Sequence, residues 1–181
     1  QALANLAHCL CRSGRLRDAA SPAADALKLI AEVGNPAFDF GCRALLTEIR
    51  LTAGDFEGLP QELARLNSET GSDLPLWERG YAYYLAAALE CELGRFDAAM
   101  RDVHRLKRIE LPGAPFLERE LAESISALIH YERGERDKAL ELLASLHGTL
   151  TRKHWPYHMC VVKLRLGEMH LKEGRLETAR K

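Results

Sequence analysis

Residues 81–106 read YAYYLAAALECELGRFDAAMRDVHRL, and Gly94 divides this stretch into two amphipathic halves. Before the glycine, Ala82, Ala86 and Leu89 keep the three- and four-residue spacing of one helical face. After it, Phe96, Ala99, Val103 and Leu106 do the same. A helix, a tight turn and a second helix is the reading that accommodates both. The glycine supplies the positive φ that ends the first helix.

The same pattern repeats along the chain. Gly14, Gly54, Gly94, Gly134 and Gly174 stand 40 residues apart without drift. Five residues after each come Ala19, Leu59, Ala99, Ala139 and Ala179. Two residues after each come Leu16, Phe56, Phe96, Arg136 and Leu176. Seven residues before each come Ala7, Thr47, Ala87, Ala127 and Gly167, all small. An apolar column twelve, eight and five residues before the glycine gives Ala2/Cys42/Ala82/Ala122/Val162, Leu6/Leu46/Ala86/Ser126/Leu166 and Cys9/Ile49/Leu89/Ile129/Met169. Each repeat is therefore a helix A, a glycine turn and a helix B, with small residues letting B approach A closely. A register held this long is the mark of a repeat architecture, whose units bury their apolar faces against one another. The repeats are 1–40, 41–80, 81–120, 121–160 and a truncated 161–181, read together as one domain.

Prolines mark the joints. Pro36, Pro75, Pro115 and Pro156 fall 21 or 22 residues after a glycine, where a fixed φ suits the first turn of the next helix A. Helix A is predicted to run about 16–19 residues. Pro60 falls in the first turn of a helix B. Pro22 lies deeper and predicts a kink.

A small residue followed by Gly-x-Phe/Leu-x-x-Ala resembles the tetratricopeptide repeat, most clearly over 81–106 and at GERDKAL and GRLETAR. The period is longer than that family's roughly 34 residues, and the proline that often closes helix B is missing. Longer repeats of this kind are similar to the helical arrays of bacterial signalling and LuxR-type transcription regulators, and ALKLIAEVGNPAF resembles their inter-repeat turn. The resemblance implies an all-α fold, a right-handed solenoid of antiparallel helix pairs whose A helices line a concave surface. HEAT-type repeats share the period but do not require the glycine–alanine register.

Composition narrows the function. Lys plus Arg number 25 against 26 Asp plus Glu among 181 residues, so no basic field favours nucleic acid or anionic membrane. No apolar run approaches the roughly 20 residues of a membrane helix. Five cysteines without a C-x-x-C give neither a disulfide framework nor a zinc site, and point to a reduced, cytoplasmic setting. The chain opens at Gln1 rather than Met and is read as a piece of a larger regulatory protein. Phosphate-loop, zincin and nucleophile-elbow motifs are absent, which argues against an enzyme and leaves no cofactor to assign.

The candidate binding face is the stripe thirteen, ten, six and three residues before each glycine, which the resemblance turns inward. It includes His8, Cys11, Ala44, Glu48, Tyr81, Tyr84, Leu128, Tyr131, Leu164, Glu168 and Leu171, and only two of its twenty positions are charged. An apolar, solvent-facing stripe suggests a partner. The alternative, that neighbouring A helices bury it, stays open. Tyr81, Tyr84, Leu128, Tyr131, Glu48 and Glu168 are the expected groove residues for a protein or peptide ligand. The positions that would hold a carboxylate clamp in the family carry Ala4, His8, Tyr84 and Ala88, so that mode of peptide capture is not expected. A small-molecule effector held in the groove is the second functional reading. His154 and His158 have metal-ligand spacing on a helix, but no third ligand completes a site. Cys9 and Cys42 read as small buried hydrophobes, and His130 and His170 as packing residues. The ends of the array, starting within a helix A and stopping within a helix B, are expected to expose apolar surface and promote weak self-association.

Overall fold

A computed structural model describes residues 1–34, 36–69, 74–109, 117–153, 156–175 and 178. Among them are nine α-helices and no strand: α1 (Ala2–Arg12), α2 (Leu16–Val33), α3 (Pro36–Thr52), α4 (Leu59–Ser68), α5 (Leu76–Glu92), α6 (Phe96–Lys107), α7 (Leu117–Glu132), α8 (Arg136–Arg152) and α9 (Pro156–Lys172). The fold is all-α. The odd-numbered helices are the A helices, and α3, α5 and α9 are each 17 residues long. Pro36 and Pro156 open their helices and Pro75 immediately precedes α5. Pro115 and the expected helix after Gly174 lie outside the described residues. No described helix is long and apolar enough to cross a membrane.

Each repeat glycine closes its helix A in the same way. Gly14, Gly54, Gly94, Gly134 and Gly174 all have φ between 72 and 84°. In every case the glycine N–H bonds the carbonyl three residues back and the next N–H bonds the carbonyl five back from itself. Gly134 to Tyr131 and Glu135 to His130, both 2.9 Å, are one such pair. This is the Schellman closure, which satisfies carbonyls a helix end would otherwise leave bare. A side-chain pair containing an acid spans the turn in three repeats, with the acid on alternating sides of the glycine. Arg50 meets Asp55 at 2.8 Å, Glu90 meets Arg95 at 3.4 Å, and His130 meets Glu135 at 2.9 Å.

Small residues then set the helix spacing. Ala7, Ala87 and Ala127 before the glycines, and Ala19, Ala99 and Ala139 after them, have no exposed surface. The second repeat departs from this scheme. Its helix B begins at Leu59, three residues later in register than α2, α6 and α8. Gly58, at φ 68°, forms the N-cap there and Pro60 sits in the first turn. Phe56 is consequently left exposed while Leu59 is fully buried. Pro22 does not break α2, which continues from Leu16 to Val33 and ends at Gly34 in the left-handed region.

The chain forms two compact units, Gln1–Leu89 and Glu90–Lys181. In the first, α1, α2 and α3 share a core of Ala7, Cys11, Ala19, Ala23, Leu45 and Ile49. A second core joins α3, α4 and α5 through Phe40, Leu59, Leu63, Leu66, Leu85 and Leu89. In the second unit, α7, α8 and α9 close over Ala127, Leu143, Leu146, Leu150, Val162 and Met169.

Candidate functional site

The stripe offered by the sequence as a binding face has two different fates. In α3 and α7 it is the surface on which another A helix packs. Tyr131 is 8 % exposed, lies in the α7–α9 core and donates its hydroxyl to the Met169 carbonyl at 3.2 Å. The Lys172 ammonium stands 5.8 Å from the centre of its ring, within cation–π range. Leu128 is half-buried against the same core, and Lys172 bonds Glu132 at 2.7 Å. Tyr131 is thus a core residue and not an exposed anchor. Physically, within a unit the column five, eight and twelve residues before one glycine packs on the stripe of the A helix before it, as Met169 does on Tyr131.

In the first unit the same contact is polar. Glu48, on the stripe of α3, is only 4 % exposed. It accepts a short hydrogen bond from the Tyr81 hydroxyl and lies 3.3 Å from the Arg12 guanidinium. Arg12 also donates through Nε to His8 Nε2 at 3.0 Å. The His8 side chain is exposed, yet partial desolvation, with Arg12 beside it, holds its imidazole below the ordinary pKa, against the smaller opposing effect of Glu48. Burial, and then Glu48, push the Tyr81 phenol well above its usual value, so it remains a neutral donor. Tyr84 stacks on Tyr81 with ring centres 6.5 Å apart and both are half-buried against the second core. Glu48, Tyr81 and Tyr84 come together in this unit. Leu128, Tyr131 and Glu168 belong to the other.

A second ion cluster, absent from the sequence reading, surrounds the buried Arg43. It bonds Asp39 at 2.8 Å, approaches Glu62 at 3.4 Å and makes a short bond to Glu69. Burial alone would lower the guanidinium pKa, but the bonds to Glu69 and Asp39 outweigh that and raise it.

On α9 the stripe is open. Leu164 is 64 % and Leu171 58 % exposed, and Glu168 between them is exposed and held by Arg165 at 3.1 Å. At α1 the complementary column is open instead. Leu6 and Cys9 are exposed, whereas Cys42, Ile49, Ala82, Leu89, Ala122, Ile129, Val162 and Met169 in the same columns are buried. The expectation that Cys9 is a buried hydrophobe is therefore corrected, because no described helix covers that face of α1. Cys42 is buried as expected. Burial raises the Cys11 and Cys91 thiols to about 11, which keeps them protonated.

Among the described residues no three His, Cys, Asp or Glu side chains are grouped to hold an ion. His158 is buried at the start of α9, and His154 lies outside the described residues. The chain matches no protein-family model, no curated protein and no solved structure.

Proposed function

We propose that this chain is a tetratricopeptide-like interaction module that binds a protein or peptide segment, within a larger regulatory protein. The observation that supports the reading is the α9 face. Leu164, Glu168 and Leu171 occupy the register that α7 buries with Ser124, Leu128 and Tyr131, yet both leucines are exposed. A face whose counterpart receives a helix, and which keeps the same spacing, suits a helix with an apolar stripe of matching pitch, supplied by a partner or by a further repeat of the larger protein. The open column of α1, with Leu6 and Cys9, is the kind of surface such a face accepts. The two together therefore also support weak self-association. Function here is binding rather than catalysis, and the balanced charge favours polypeptide partners over nucleic acid.

The test is Leu164→Asp combined with Leu171→Asp, scored for melting temperature and for binding of amphipathic helical peptides by fluorescence anisotropy. The reading expects unchanged melting and lost binding. Peptide binding that survives the double substitution contradicts it. A second reading, an effector-sensing domain, is favoured by a separate cavity in the first unit.

A further inference from the structure

Glu78 stands in the first turn of α5 and is 4 % exposed, as deeply buried as Glu48. Glu48 has Arg12 and Tyr81. Among the described residues, Glu78 has neither a cation nor a donor on its Oε2 atom. A buried carboxylate without a partner is costly, and such a group in a native fold calls for an explanation. Burial raises its carboxyl pKa, and no charge among the described residues offsets that. Arg79, next in sequence, projects from a different face of the helix and leaves its own Nε unpartnered.

Glu78 lines a cavity of about 340 Å³ within the first unit, together with Gln1, Asn5 of α1, Ile30 of α2, Phe38 and Cys42 of α3, and Trp77. The walls are mainly apolar. Trp77 is 52 % exposed at the start of α5, and Phe38 is also exposed. The size lies at the small end of ligand clefts, which run from roughly 300 to 1,000 Å³. One carboxylate, two aromatic rings and few other polar groups form a poor site for a guanidinium, which presents five donors in a rigid fork. They suit a compact cation that needs one counter-ion and tolerates apolar walls.

We propose that this cavity binds a small organic ammonium ion, with the Glu78 carboxylate as counter-ion and the Trp77 and Phe38 rings as its walls. The bound cation supplies the charge that the fold leaves uncompensated. The inference supplies a ligand class for the effector-sensing reading and does not depend on the α9 face. Peptide binding at α9 and ammonium binding here are measured separately, so either can fail alone.

The experiment titrates the protein with choline, with butylammonium and with 3,3-dimethylbutan-1-ol, the uncharged carbon counterpart of choline, at constant ionic strength. Calorimetry and melting temperature are both read. Choline or butylammonium is expected to bind and raise the melting temperature, and the alcohol to bind at least about tenfold more weakly. Glu78→Gln is expected to reduce cation affinity by about tenfold or more, and Trp77→Ala, at an exposed side chain, to weaken it without unfolding the protein. Acidification that protonates Glu78 should weaken binding in the wild type and leave Glu78→Gln unchanged. No binding of either cation up to about 10 mM, equal binding of the alcohol, or undiminished binding by both variants overturns the proposal. So does a lysine-containing peptide that binds there when butylammonium does not.

Discussion

Helices α7 and α9 carry stripes in the same register, one covered by another A helix and the other exposed. In α7, Tyr131 is packed on Met169 and Val162 of α9. In α9, Leu171 holds the position of Tyr131 and is exposed. A hydrophobic side chain on a repeat face thus has two possible duties, and its neighbour decides which. Where another A helix covers it, the side chain contributes to stability. Where nothing described covers it, the same chemistry is available to a partner.

The largest effect should come from Tyr131→Ala. Deleting a buried aromatic costs about 3–5 kcal/mol, and this one also frees the Met169 carbonyl. Leu171→Ala at the matching position should stay within about 0.5 kcal/mol. Denaturant unfolding of the two variants gives the comparison directly, and similar losses in both would break it.

Next in size is Glu48→Ala, which tests whether the polar version of this contact holds the first unit as Tyr131 holds the second. It removes one partner of Arg12 and the acceptor of the Tyr81 hydroxyl. Hydrogen bonds to charged groups contribute about 1.5–3 kcal/mol each, so a loss of about 2–3 kcal/mol is expected in urea unfolding. A neutral result would show that the first unit does not depend on this contact.

Gly134→Ala should cost about 1–2 kcal/mol, because alanine at φ 84° is strained although no atom would meet its Cβ. Gly174→Ala, at φ 72° after the uncovered α9, should be felt less. Equal losses at the two sites would mean that the α9 turn is as firmly built into the unit as the α7 turn.

The smallest effect is a pH dependence at His8, on the stripe of α1. Its folded pKa lies below the ordinary 6.5. The native state therefore binds fewer protons there than the unfolded chain does. The contribution is fully present above 6.5 and is lost as pH falls below it towards the folded value. Melting temperatures at neutral and mildly acidic pH should accordingly fall more for the wild type than for His8→Gln.

Much of this organisation was legible in the sequence. The glycine period located five turns that share one hydrogen-bond pattern, and the small residues at Ala7, Ala87, Ala99 and Ala139 mark close helix approach. Two A-helix faces, however, both show three- and four-residue spacing, and periodicity cannot say which of them meets another helix. Tyr131 and Leu171 therefore looked alike. The late start of α4 had a visible signal in Gly58 and Pro60, which the repeat register overrode. The pairs across three of the turns also had one, in Arg50/Asp55, Glu90/Arg95 and His130/Glu135, four residues before and one after their glycines. The Glu78 cavity had none, because it gathers residues from four helices that only packing brings together.

The most direct test of the account is peptide capture measured side by side on Leu164→Asp with Leu171→Asp and on the wild type, together with their unfolding curves. The account predicts coincident unfolding within about 0.5 kcal/mol and lost capture in the double variant. Unfolding that is markedly weakened, or capture that persists, would contradict the assignment of the α9 stripe as a docking face.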